Sequence, residues 1–186
     1  MILIKNNKLL LALLCCFAAF IPASAQTYTG KNIKVNIFSS TPVEDIKAVS
    51  NSGVAVLAFP KQELAIQVII KSLDFDKKLM QEHFNENYME SDKYPLARFK
   101  GIIEPKIDLT KDGEYNVVAK GILNVHGVNQ ARSVSGKIII KNGAVFLNST
   151  FDVACVAHKI KIPSLIVTKI AEVIQVKIQG TLNLLK

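Results

Sequence analysis

Beyond residue 25 the chain has a single cysteine, Cys155, and only two arginines, Arg98 and Arg132. One cysteine excludes an intrachain disulfide, and its apolar setting in "FDVACVAHK" fits a buried thiol better than a nucleophile. Scarce arginine, with lysines scattered along alternating segments, excludes the basic and aromatic patch expected of a nucleic-acid binder. No linker rich in Pro, Gly or Ser divides the sequence and no internal repeat is visible, so one domain is expected over residues 26–186. Also missing are a hydrolase nucleophile elbow, a zinc signature and a phosphate loop.

A long apolar run occurs once, at the start. "MILIKNNKLLLALLCCFAAFIPASAQ" has Lys5 and Lys8, then an apolar stretch, then Ala23-Ser24-Ala25, the layout of a secretory signal over residues 1–25. Leu9 to Ile21 is shorter than the roughly 20 residues a spanning helix needs. Cleavage after Ala25 is expected, with export to the periplasm. The competing reading, lipidation at Cys15 or Cys16, meets an apolar run that continues past both cysteines. The full chain has 23 basic and 15 acidic residues, and two of the eight excess positive charges belong to the leader. What remains is a modest positive charge, suited to solubility and to transient contact with an anionic membrane surface.

The rest alternates with period two. "KNIKVNIF" aligns Ile33, Val35 and Ile37 on one face, and "ELAIQVIIK" aligns Leu64, Ile66, Val68 and Ile70, with a turn at Pro60 between it and the preceding "VAVLAF". "LARFKGIIE" follows. "GEYNVVAKGILNVHG" puts Tyr115, Val117, Ala119, Gly121, Leu123 and Val125 on one face, after a hairpin-type turn signal at Asp112-Gly113. Two further strands meet at Asn142-Gly143, and "EVIQVKIQGTLNLL" aligns Ile174, Val176, Ile178, Gly180, Leu182 and Leu184. About eight antiparallel strands result, in a sandwich or a closed barrel; the barrel is favoured because eight strands enclose side chains or one slender ligand. Small inward residues, Ala119, Gly121, Gly136 and Gly180, are expected to leave room along its axis.

"LMQEHFNENYMESDKYPLARFKG" breaks the alternation. Its first part suits a helix, capped by Asp74 or Asp76, with Leu79, Met80, His83 and Phe84 at three- and four-residue spacing. Glu82, His83 and Glu86 have no second cluster to complete a metal site, and nothing holds Glu90 and Asp92 opposite each other as an acid and base. The segment is read as a helix and loop at one mouth of the barrel, where Leu79, Met80, Phe84, Tyr88 and Met89 gate or plug the interior. His126 and His158 are read as structural, with contact to a ligand headgroup as the alternative. "HKIKIPSLIVTKIAEVIQV", with Leu165, Ile166 and Val167, is either a rim meeting membrane or partner, or a loop packed under the barrel.

"HFNENYMESDKYPLARFKG", followed by "YNVVAKGILNVHGVNQARSVSGKI" and the closing alternating strand, resembles the YceI-like family of exported, polyisoprenoid-binding or lipid-binding bacterial proteins. The resemblance runs from about Ile37 to Leu184, through Tyr94, Pro95 and Phe99 and then Gly121, Leu123, His126, Gly127 and Val128. The forms "LMQEHFNENYMESDKYP" and "HKIKIPSL" look like the branch found in Bacteroidetes. Two features depart from the family: no histidine in "NIFSSTPVEDIKAVS", and Asn129, Gln130 and Ala131 where threonine-lysine-proline is usual.

The resemblance implies an eight-stranded antiparallel, lipocalin-like barrel with a short helical segment near a mouth. It implies an apolar lipid ligand, a polyisoprenoid or an isoprenoid quinone, with no catalytic residue, metal or other cofactor, and it is compatible with a homodimer. The residues expected to line the ligand site are Val68, Ile70, Phe99, Val117, Ala119, Leu123, Ile174, Val176 and Ile178, together with Leu79, Met80, Phe84, Tyr88 and Met89. Strand periodicity alone leaves a second reading open for each, as ordinary core of an exported, partner-binding module.

Overall fold

The computed structural model describes residues 26–40, 45–162 and 172–185. The expected leader, and Leu165, Ile166 and Val167 of the expected rim, lie outside the described residues.

Nine strands occur among the described residues: β1 (Thr27–Ser40), β2 (Asp45–Ala58), β3 (Glu63–Ile69), β4 (Asp74–Phe75), β5 (Leu96–Glu104), β6 (Gly113–Val125), β7 (Val128–Lys141), β8 (Ala144–Ala154) and β9 (Val173–Leu184). Every pairing is antiparallel and mostly sequential, and β1 pairs with both β2 and β9, so eight strands close into a barrel. β4 is the ninth. Only two residues long, it continues along β2 where β3 has ended, pairing Phe75 with Ala48.

Closure gives the alternating residues their two environments. Along β6 the odd-numbered side chains turn inward and the even-numbered ones face water. At the end of the barrel formed by the start of β1 and the end of β9, the interior is filled: Leu57, Ile103, Leu109, Ile140, Val145 and Leu182 are almost completely buried and form one cluster. A second cluster of Ala48, Leu73 and Phe75, packed with Met80 and Phe84, sits at the opposite end, here called the mouth. Between them lies the space considered below.

Two tight turns join strands across the wall. Asn142 and Gly143 both have positive φ (51° and 76°), the type that matches strand twist. His126 and Gly127 (52° and 71°) form a second such turn, where the sequence marks only a strand end. Asp112-Gly113, by contrast, is not a turn. Residues 105–112 form a longer connection, Gly113 is already in β6, and the Asp112 carboxylate accepts the backbone N–H of Asn142 at 3.0 Å.

Two of the small inward residues do not open the interior. A Cβ at Gly180 would overlap Ile33 Cδ1, and one at Gly121 would overlap the Lys100 carbonyl and Gly101 Cα. The β1 register shifts on both sides of Ile33, driving that side chain fully inside against Gly180. Gly121 instead permits close approach of β5 and β6, where it pairs with Gly101. Ala119 and Gly136 do border the cavity.

The helix α1 (Lys78–His83) is present, and one wider turn continues it through Phe84–Tyr88. Neither Asp74 nor Asp76 caps it: Asp74 belongs to β4, the N-cap position is Lys77, and no side chain makes a capping bond.

Candidate functional site

The interior between the filled end and the mouth is a cavity of about 440 Å³, within the range of about 300–1,000 Å³ common for small-molecule sites. Its wall is built element by element from inward-facing side chains. β3 supplies Val68, and the turn after it Ile70. β5 supplies Phe99; β6 supplies Val117, Ala119 and Leu123; β9 supplies Ile174, Val176 and Ile178. Met80 of α1, Phe84 and Tyr88 of the wider turn, and Met89 roof the mouth. The roof is anchored by Phe75, whose ring lies 4.8 Å from that of Phe84.

Leu79 is the exception among the expected lining residues. It is 62 % exposed and borders no part of the cavity. On this short helix Met80 and Phe84 take the inward face, which turns Leu79 outward. The periodicity was ambiguous there because one helical turn and a half is too short to define a face.

The cavity also takes residues that the strand pattern left unassigned: Val134 of β7, Leu147, Phe151 and Val153 of β8, and Ile160 and Ile162 beyond it. Both strands alternate, but Ser149 and Gly136 interrupt their apolar rows, which hides the inward face from a hydrophobicity reading. Cys155 joins the same wall, and burial, with the Glu172 carboxylate adding to it, pushes its thiol up from the usual value. Partial burial likewise raises the Tyr88 phenol.

Asp92 and Glu90 of the opening segment face outward and pair, while His83 and Arg98 border the cavity. Asp92 accepts Lys71 Nζ at 2.7 Å, and Glu90 Oε2 lies 2.8 Å from His126 Nε2. His126 reaches the His158 carbonyl through Nδ1 at 3.2 Å, and the Tyr94 ring stands edge-on to it at 4.5 Å. This ties the loop below the roof to the β6–β7 turn. His158, 1 % exposed, has Nδ1 3.2 Å from the Val128 carbonyl. Burial pulls its pKa below the ordinary imidazole value, with Arg132 and His126 acting in the same direction against the hydrogen bonds to Val128 and Val125. Both histidines therefore hold the fold together at the rim, away from the cavity lining.

The chain matches the family model of the YceI-like domain over residues 25–182. No curated protein matches it. Several solved structures share the fold. A polyisoprenoid binding domain from Saccharophagus degradans, implicated in plant cell wall breakdown, is 11 % identical with a TM-score of 0.72, over 87 % of this chain and 99 % of that one. BcnA of Burkholderia cenocepacia is 16 % identical with a TM-score of 0.65, over 81 % and 95 % of the two chains. The YceI protein of Campylobacter jejuni is 16 % identical with a TM-score of 0.62, over 79 % and 89 %.

Proposed function

This chain belongs to the YceI-like domain family, and from that premise we propose that it is an exported carrier that holds one slender apolar chain, a polyisoprenoid or the tail of an isoprenoid quinone, inside its barrel. The observation that carries this reading is the apolar cavity of about 440 Å³, closed by packed side chains at one end and roofed at the other. A module serving only to dock a partner has no use for such a space, since native interiors close up around side chains. The Saccharophagus degradans domain with this fold is a polyisoprenoid binding domain, which supports the ligand class.

Affinity on this reading comes from apolar area removed from water, about 0.8 kcal/mol per CH₂ before the cost of ordering the chain. No covalent step is needed and no catalytic residue is assigned. The place of action is the periplasm, reached by way of the leader expected in residues 1–25. Exposed Leu79 and Val156, the latter 79 % exposed, stand at the mouth end and suit brief contact with the membrane from which a lipid is drawn.

Filling the cavity from within tests the proposal. Ala119→Phe places a ring where the ligand would lie, and displacing two methylenes alone costs about 1.6 kcal/mol, or a little over tenfold in Kd. Farnesol titrated against the wild type and the variant should show that loss or a larger one, with the thermal midpoint of the free protein kept. Equal farnesol affinity in both proteins would remove the cavity from the binding site.

A further inference from the structure

The barrel wall is not laced evenly. β6 and β7 pair along their whole length, from Gly113 with Ile140 to Val125 with Val128, and β8 and β9 pair from Val145 with Leu182 to Ala154 with Val173. β7 and β8 pair only from Lys141 with Ala144 to Gly136 with Ser149. Both strands nevertheless continue to the mouth, as far as Val128 and Ala154. Over that stretch side chains replace the ladder. Ser149 Oγ donates to the Ser135 carbonyl at 2.6 Å, the Arg132 guanidinium to the Asp152 carbonyl, and Gln130 Nε2 to the Ala157 carbonyl at 2.7 Å. The result is a slot running from Gly136 and Ser149 to the rim.

At the lower end of the slot the last paired residues, Gly136 and Ser149, face both sides of the wall. Gly136 and Ser149 belong to the inward rows of their strands, in step with Ile138 and Leu147, yet both remain partly exposed. On the outside lies a depression of about 500 Å³ bordered by Glu104, Asn116, Ser135, Asn148 and Thr150. Val117, Gly136, Asn148 and Ser149 border this depression and the inner cavity alike. An apolar chamber and a recess richer in polar groups thus adjoin where the β7–β8 ladder ends.

We propose that the polar end of a bound amphiphile leaves the barrel here, with its tail in the cavity and an uncharged headgroup, a hydroxyl or carbonyl, in the recess. This inference rests on the carrier reading. A polar head held under the mouth would lie mainly among Met80, Phe84, Met89, Ile160 and Ile162, with His83 and Tyr88 of the roof as its nearest polar partners, and would recover less of its lost hydration there than beside several amides and hydroxyls. In the recess the amides of Asn116 and Asn148 and the hydroxyl of Thr150 supply donors and acceptors. Charge selects the class of head. Glu104 borders the recess and holds Lys120 at 2.6 Å, while Lys137 is held by Glu114 at 3.0 Å. A diphosphate would therefore meet a carboxylate and cations already engaged.

The probe is farnesol esterified at its hydroxyl with a nitroxide carboxylic acid, added to ¹⁵N-labelled protein recovered after export. Amides of Ser135, Gly136, Ser149 and Thr150 should broaden first, those of Met80, Phe84 and Ile160 should stay sharp, and cavity residues should shift. Broadening centred on the mouth, with the cavity shifts present, would overturn the slot and leave the carrier standing. No shifts at all would overturn both. As a second readout, Asn116→Leu combined with Thr150→Val, at two residues that border the recess and not the cavity, should weaken farnesol about tenfold, the worth of one to two hydrogen bonds, and leave the headless hydrocarbon farnesane unchanged. Equal loss for both ligands would mean a structural role only and would overturn the assignment.

Discussion

Replacing the same residue type at two depths of the barrel separates a packed interior from an open one. Ile140 is 2 % exposed within the filled end, while Ile66 is partly buried and borders the cavity. Ile→Ala removes three carbons at either site, a transfer loss of about 2.4 kcal/mol where burial is complete. At Ile140 the change also leaves a new void among fixed neighbours, which brings the expected cost to about 3–4 kcal/mol. At Ile66 part of the side chain already faces empty space. Its removal only enlarges that space, for about 1 kcal/mol. For a domain of this size about 2–4 °C of thermal midpoint accompanies each kcal/mol, so Ile140→Ala should lower Tm by about 6–16 °C and Ile66→Ala by about 2–4 °C. Urea unfolding gives the same comparison, provided that the m-values agree. Ligand affinity should rank the other way, with farnesol weakened by Ile66→Ala and unchanged in folded Ile140→Ala. Equal losses of stability at the two sites would refute the division of the interior into a plug and a cavity.

Stability should also depend on pH through His158. Its folded pKa lies below the unfolded value because it is buried, so below about pH 6.5 the unfolded chain takes up a proton that the folded chain does not. The contribution is complete above that pH and is lost as the pH falls towards the folded pKa. Between pH 7.5 and 5.5 the urea midpoint should fall more for the wild type than for His158→Gln, and parallel curves would contradict the buried neutral imidazole. At the two tight turns, Gly143→Ala meets nothing within 4 Å and should cost only the left-handed backbone, about 1 kcal/mol. Gly127→Ala adds a Cβ 2.6 Å from Tyr94 Cε1 and should cost about 1–2 kcal/mol more in thermal unfolding, by pushing that ring off His126; equal costs would mean that Tyr94 yields freely.

The strands were legible because half-buried strands write their environment into alternate residues. β6 and β9 show this most clearly, and most of the cavity-lining positions follow from those rows once the barrel closes. What local pattern could not reveal depends on partners distant in sequence. Gly180 looks like open space until the bulge in β1 carries Ile33 into it. Asp112-Gly113 has the composition of a two-residue turn, yet the ladder with Ile140 begins at Gly113 and the Asp112 carboxylate is drawn to Asn142. α1 is too short for its face to be read, hence the misplacement of Leu79. The parting of β7 from β8 has no local signature at all, because both strands keep their alternation and their outer partners, β6 and β9, on either side of the slot.

Native mass spectrometry of the protein recovered from the exported fraction of its cells, without detergent stripping, tests the central claim most directly. The carrier reading predicts one apolar adduct per chain that extracts as a polyprenyl lipid or quinone. A bare polypeptide mass that stays bare after incubation with isoprenoid quinones would contradict it.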